Sequence, residues 1–193
     1  VTPQNEPLNR GNSASLYMSW EEQRDFVKTA LGPKFKTAGL ATKIYAYDHN
    51  YDYSDIATEK NYPGKMYEDA AASQYLAGAA YHNYGGNREE LLNIHKAYPE
   101  KELLFTETSI GTWNSGRDLS KRLLEDMKEV ALGTINNWCR GVIVWNLMLD
   151  NDRAPNREGG CQTCYGAVDI SNSDYKTIIR LSLIHISEPT RRS

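Results

Sequence analysis

The 193-residue sequence is poor in several things. It has three cysteines, and only Cys161 and Cys164 lie close together. A structural zinc site asks for a second cysteine pair or nearby histidines, and none follow. A thioredoxin-like pair would open a helix after a strand, whereas Cys161-Gln162-Thr163-Cys164 lies in a Gly/Asn/Pro-rich loop. The pair reads as a local loop staple or as two free thiols, and no metal site is expected. There is no basic excess: the net charge is −3 and the pI about 5.8, which argues against a nucleic-acid or anionic-membrane surface. No apolar run approaches transmembrane length. Neither G-x-G-x-x-G nor G-x-x-x-x-G-K-[ST] occurs, which disfavours a nucleotide-binding α/β domain, and no cofactor is expected. No signal peptide opens the chain, but Val1-Thr2-Pro3 reads like the middle of a protein, so nothing about export follows.

What is present is an alternation of short apolar runs and helical patterns. Val1 to Pro7 reads as the end of a strand, followed by a Pro/Asn/Gly loop to Ser15. Ser19-Trp20-Glu21-Glu22 is a capping box, and the helix it opens carries Phe26, Val27, Ala30 and Leu31 on one side and closes at Gly32-Pro33. Thr42 to Tyr47 is a β-branched and aromatic strand with Asp48-His49-Asn50 at its end. A short Ala-rich helix runs over 67–75, a strand over 78–84, and an amphipathic helix over 88–96 with Leu91, Leu92 and His95 at helical spacing. Leu103 to Phe105 opens the next strand. The longest helix spans 118–136 with Leu119, Leu123, Met127, Val130 and Ile135 as its buried stripe, and a strand over 141–146 follows. Thirteen tyrosines offer flat apolar faces with a hydroxyl, which suits sugar rings and ordinary cores alike.

Strict alternation of this kind means a parallel sheet with crossover helices. Polar or aromatic residues close every strand: Asn5-Glu6, Asp48-His49, His82-Tyr84, Glu107 and Trp145-Asn146. In a (β/α)₈ barrel all these ends converge on one face. Five strands are legible where a closed barrel has eight. The expected fold is therefore α/β, the C-terminal part of a TIM barrel (about strands 4–8), read as truncated at both ends.

Two of the strand-end residues are carboxylates, Glu6 and Glu107. Glycoside hydrolysis uses such a pair across the scissile bond, and retention of configuration calls for a separation of roughly 5 Å. Each residue also has a plain alternative. Glu6 before Pro7 is an ordinary loop charge, His82 a satisfied core histidine, Trp145 plain core, and Asp48-His49 a cap on the next segment. Taken singly, each plain alternative is the stronger.

The combination shifts that balance. Thr2-Pro3-Gln4-Asn5-Glu6-Pro7-Leu8-Asn9, Tyr47-Asp48-His49-Asn50, Phe105-Thr106-Glu107, Trp145-Asn146-Leu147-Met148-Leu149-Asp150 and the loop from Ala154 to Cys164 resemble glycoside hydrolase family 30, the glucosylceramidase-like family, over about residues 1–172. The resemblance implies a retaining β-glycosidase on a (β/α)₈ barrel, with Glu6 as acid/base and Glu107 as nucleophile. Asn5, His82, Tyr84 and Trp145 carry over as substrate-binding residues, with Tyr84 holding Glu107 in line. It implies a β-glucoside or β-glucan substrate, glucosylceramidase-like or β-1,6-glucanase activity, and secretion or a periplasmic location. Glu6 would have its pKa raised by the charge of Glu107. Residues 1–165 would be the partial barrel and 166–180 the start of a return into a β-sandwich. Residues 181–193 resemble translated sequencing-adapter read-through and stay out of the fold reasoning. The rivals are a non-catalytic carbohydrate-binding protein on the same fold and a β-xylan-active family member.

Overall fold

The computed structural model describes residues 1–11, 16–113, 118–156 and 160–181. The chain divides into two units, Val1–Glu107 with Gly133–Val142, and Thr108–Leu132 with Ile143–Ser193. The expected foreign tail lies outside the described residues, apart from Leu181.

The first unit is built on a parallel four-stranded sheet: β1 (Ile44–Asn50), β2 (Leu76–His82), β3 (Glu102–Glu107) and β4 (Cys139–Val142), in that order. The expected α/β alternation is thus present, with one strand fewer. Residues 1–6 form no strand, since Pro3 supplies no N–H to a ladder. They still run beside β1: the Tyr45 N–H donates to the Val1 carbonyl and the Glu6 N–H to the Asp48 carbonyl, each at 2.9 Å. β4 is shorter than expected, stopping at Val142 rather than 146.

Helix α1 (Trp20–Phe26) opens with the capping box: the Glu22 N–H donates to Ser19 Oγ and the Ser19 N–H to Glu22 Oε2. Gly32-Pro33 does not end it. A π-turn over Val27–Leu31 passes into α2 (Gly32–Thr37), and Pro33 sits at the start of the new helix, where a missing N–H costs little. The buried face is that of Gln23 and Val27, four residues apart: both are fully buried, whereas Phe26 is 41% exposed. The Ala-rich helix is in fact two, α3 (Tyr62–Glu68) and α4 (Ala70–Ser73). Asp69 separates them by accepting from the Ala71 and Ala72 N–H groups as a fresh N-cap. Helix α5 (Glu89–Ala97) buries Leu91 and Ile94, while His95 stacks on Trp138 with ring centroids 4.0 Å apart.

The tyrosines resolve toward core. Tyr47 lies at the centre of a cluster with Tyr53, Tyr62 and Tyr81, at centroid distances of 5.0–5.5 Å. Their hydroxyls are satisfied inside: Tyr53 and Tyr81 bond each other at 3.0 Å, Tyr53 donates to Glu90, and Tyr62 to the Met18 and Ser19 carbonyls. That satisfaction is what makes burying the hydroxyls tolerable.

In the second unit, α6 (Leu119–Glu125) is capped by Asp118 and continues through a π-turn over Asp126–Ala131. α7 (Leu132–Ile135) belongs to the first unit from Gly133 on. The expected stripe is largely not buried: of its described side chains only Val130 is, while Met127 and Ile135 are exposed. The π-turn breaks the 3.6-residue phase on which the stripe was drawn. A second sheet joins β5 (Met148–Asp150) in parallel to β6 (Val168–Ile170), and β6 antiparallel to β7 (Ile178–Leu181). β6 falls within the segment 166–170, where a strand was expected. Cys161 and Cys164 are joined in a disulfide, so the loop staple holds; Cys139 is free and buried. The stapled loop pairs with the segment after Glu107 through Thr112 N–H to the Thr163 carbonyl and Tyr165 N–H to the Ile110 carbonyl.

Candidate active site

The parallel register brings polar strand ends side by side. His82 on β2 pairs with Glu107 on β3, and Asn50 on β1 pairs with His82. Glu6 reaches the same place from the segment beside β1. One carboxylate oxygen from each of Glu6 and Glu107 and one nitrogen of His82 lie within 4.8 Å of one another. The structure thus brings Glu6, Glu107, His82 and Tyr84 together. Asn5 is exposed next to buried Glu6. Trp145 belongs to the second unit, 47% exposed and bridged to Ser109, with its N–H donating to the Thr108 carbonyl at 2.8 Å.

Two supporting contacts hold the carboxylates. The Tyr84 hydroxyl donates to Glu107 Oε1 at 3.1 Å, as the sequence suggested. The Asn9 amide donates to Glu6 Oε2 at 2.7 Å. His82 is fully buried between carboxylates: Nε2 is 3.0 Å from Asp48 Oδ1, and Nδ1 is 3.6 Å from Glu6 Oε1. The second distance is an ion pair rather than a hydrogen bond.

The electrostatics follow from this packing. Burial alone would lower the His82 pKa, but Asp48 and Glu6 outweigh it and raise it to about 9, so the ring is an imidazolium at neutral pH. Burial pushes the Glu6 carboxyl up, yet His82 and Asn9 prevail and bring it down to about 2. Glu107 moves the other way. Burial raises it, aided by the Glu6 charge, and His82 and Tyr84 only partly offset this. The expectation that Glu107 would raise Glu6 is therefore not met, because the cation between the two carboxylates lies on the Glu6 side. The donor set of two carboxylates and an imidazole is also of a kind that binds cations, but an imidazolium has no lone pair to offer a metal.

Two participants carried no role in the sequence reading. Asn9 lay inside the Asn-Glu-Pro-Leu-Asn motif, and its spacing of three from Glu6 was the available signal. Asp48 read as well as a cap. Its part in the site depends on a bulge in β1 between Tyr47 and His49, which no periodicity reveals.

A parallel α/β sheet with a carboxylate pair converging at its C-terminal strand ends is the arrangement of barrel glycoside hydrolases. The chain belongs to glycosyl hydrolase family 30: the model of that family's TIM-barrel domain matches residues 1–188. It is similar to the solved structure described as the endo-beta1,6-glucanase BT3312, with 88% sequence identity and a TM-score of 0.91 over 96% of this chain and 41% of that one. Among curated relatives, endo-1,6-beta-D-glucanase BGN16.3 of Trichoderma harzianum is 35% identical over 91% of this chain and 33% of its own length. Putative glucosylceramidase 2 of Caenorhabditis elegans is 29% identical over 83% of this chain and 32% of its own length. The chain thus spans about a third of the length of these curated relatives.

Proposed function

We propose that this chain carries the catalytic pair of a retaining β-glycosidase acting on β-glucosidic bonds, with β-1,6-glucan as its substrate. The observation that carries this reading is the convergence of Glu6 and Glu107 within 4.8 Å. Retaining enzymes hold their carboxyls about 5 Å apart, and inverting ones leave roughly 6.5–9.5 Å for a water. The glucanase names of the relatives at 88% and 35% identity favour β-1,6-glucan over a glucosylceramide or a xylan. The four parallel strands, with residues 1–6 alongside, are read as barrel strands 5–8 and the end of strand 4. The Cys161–Cys164 disulfide suits an oxidising compartment and so a secreted or periplasmic enzyme.

In this reading Glu6 protonates the leaving oxygen while Glu107 attacks the anomeric carbon, giving a glycosyl-enzyme. Glu6 then takes a proton from the water that releases the sugar. The Tyr84 hydroxyl on Oε1 of Glu107 aligns the attacking carboxylate. Trp145 would provide a platform for the apolar face of a sugar, and Asn5 would bond a hydroxyl. A second reading exchanges the two roles. It is favoured by the depressed pKa of Glu6 and the raised pKa of Glu107, which leave Glu6 the better resting nucleophile.

A chain extended to the length of its relatives decides between them by intact-mass spectrometry after incubation with a 2-fluoro-β-glucosyl trapping reagent. An adduct on Glu107 is expected, together with loss of β-1,6-glucan turnover in Glu107→Gln. An adduct on Glu6 would reverse the roles. No adduct and no turnover would leave a carbohydrate-binding protein.

A further inference from the structure

Beside the proposed catalytic groups lies a buried carboxylate to which that chemistry gives no task. Asp48 is 7% exposed, and its carboxylate is fully engaged. Oδ1 takes the His82 ring at 3.0 Å and the Thr106 hydroxyl at 2.5 Å, and Oδ2 takes the Thr2 hydroxyl at 2.5 Å. The backbone is bent to permit this. Tyr47 and Asp48 lie at φ 74° and 83°, in the left-handed region that side chains rarely adopt, at the bulge that breaks the β1–β2 register. Glu6 is also left-handed, at φ 47°, and its N–H donates to the carbonyl of Asp48 itself. Strain of this kind persists only where the surroundings enforce it. Here it turns one carboxylate onto the outer nitrogen of His82, whose inner nitrogen faces Glu6.

We propose that Asp48 is a positioning residue: it holds His82 as an imidazolium through Nε2, so that Nδ1 keeps, beside Glu6, the proton that Glu6 delivers to the leaving oxygen. This rests on the reading of Glu6 as acid/base. The step balances. The Nδ1–H bond of His82 breaks as an O–H bond forms on Glu6, and that O–H breaks as the leaving oxygen takes the proton. His82 is left neutral with its Nε2–H on Asp48. In the second half-reaction, water yields a proton to Glu6 as its oxygen bonds the anomeric carbon and Glu107 departs, and Glu6 returns the proton to Nδ1. The 3.6 Å gap between Nδ1 and Oε1 must close to hydrogen-bond length, as resting catalytic contacts commonly do once substrate binds. The relay also reconciles an acid role for Glu6 with its resting ionisation, because the proton waits on the adjacent Nδ1, 3.6 Å from Oε1.

The groups facing His82 are few. Asp48 and His49 come from β1, Glu107 from β3, Glu6 from the N-terminal segment, and Tyr84 from the loop after β2. His49, with a ring 6.2 Å from that of His82, has its own pKa lowered by burial to about 4 and adds no charge at neutral pH. Glu6 and Glu107 change partners during turnover, so Asp48 is the anchor that stays.

The test uses the chain extended to the length of its relatives, wild type and Asp48→Asn. Imidazole ¹⁵N shifts of His82 are followed with pH beside the pH profile of kcat/KM. Wild-type His82 is expected to carry protons on both nitrogens at pH 7.5. In the isosteric variant it is expected to lose one at least one pH unit lower, and the alkaline limb of kcat/KM is expected to move down with it. Asp48→Glu should restore part of the shift. A neutral wild-type His82 at pH 7.5 overturns the proposal without any variant, and so does an unchanged alkaline limb in Asp48→Asn. The trapping reagent keeps this separate from the reading it rests on. A Glu107 adduct in wild type with no shift in the variant defeats the relay alone, whereas an adduct on Glu6 defeats the acid/base assignment.

Discussion

His82 is the residue on which the site turns, because its charge acts on both Glu6 and Glu107. Its folded pKa of about 9 lies above the usual 6.5, so protonation favours the fold. That contribution is complete below pH 6.5 and is lost as pH rises through about 9. Glu6, lowered from 4.5 to about 2, contributes the opposite way: fully above pH 4.5, and lost as pH falls toward 2. The thermal midpoint should therefore be highest between about pH 4.5 and 6.5 and fall on both sides. His82→Gln should flatten the alkaline fall, which differential scanning calorimetry across pH 4–10 reads directly. A wild-type midpoint that does not change between pH 6.5 and 9 would remove the imidazolium from the resting site. This balance explains why Glu6 and Glu107 were legible in the sequence while their ionisation was not. A carboxylate after a short apolar run marks a strand end, but which carboxylate sits nearer the cation depends on two residues forced into left-handed backbone.

At the scale of the element, legibility followed local signals. The Ser19 capping box is a chemical mark within four residues, and helix α1 begins where it stands. The ends of helices were harder. Gly32-Pro33 reads as a stop, yet a π-turn carries the helix through it, and a second π-turn at Asp126–Ala131 shifts the phase of the longest helix. Periodicity cannot report an inserted residue that only tertiary packing selects. Strand β2 offers a sharper test. A Cβ on Gly78 would overlap the backbone carbonyl of its β3 partner Glu102, so the close approach of these strands needs a residue with no side chain. Gly78→Ala should push β2 from β3 and destabilise the protein by about 1–3 kcal/mol, by analogy with overpacking, as read by urea denaturation. A change below about 0.5 kcal/mol would mean that the strands separate freely, and that the His82–Glu107 pairing at their far end is not rigidly set.

At the scale of the whole chain, a run of large apolar residues is exposed. Ile143, Val144, Trp145, Leu147 and Met148 follow one another, each at least 38% exposed. Among the described residues β4 pairs with β3 alone and is an edge strand of the parallel sheet. Parallel sheets are otherwise buried on both faces and rarely end in an open apolar edge. Sequence patterning led to the same point, since five strand signals do not close a barrel, and the relatives run about three times the length of this chain. The 193-residue chain on its own should therefore bind 8-anilinonaphthalene-1-sulfonate strongly and associate with rising concentration, through surface of the kind that drives edge pairing. Extended to the length of its relatives, it should lose the dye signal and gain a cooperative thermal transition. Only then should it give the trapped adduct, because the proposed pair acts only while the strand ends that carry it stay in register. A 193-residue chain that binds no dye, stays dispersed and is labelled would show instead that the four-stranded unit holds its catalytic geometry unaided, and that the exposed apolar run serves some purpose other than closing the sheet.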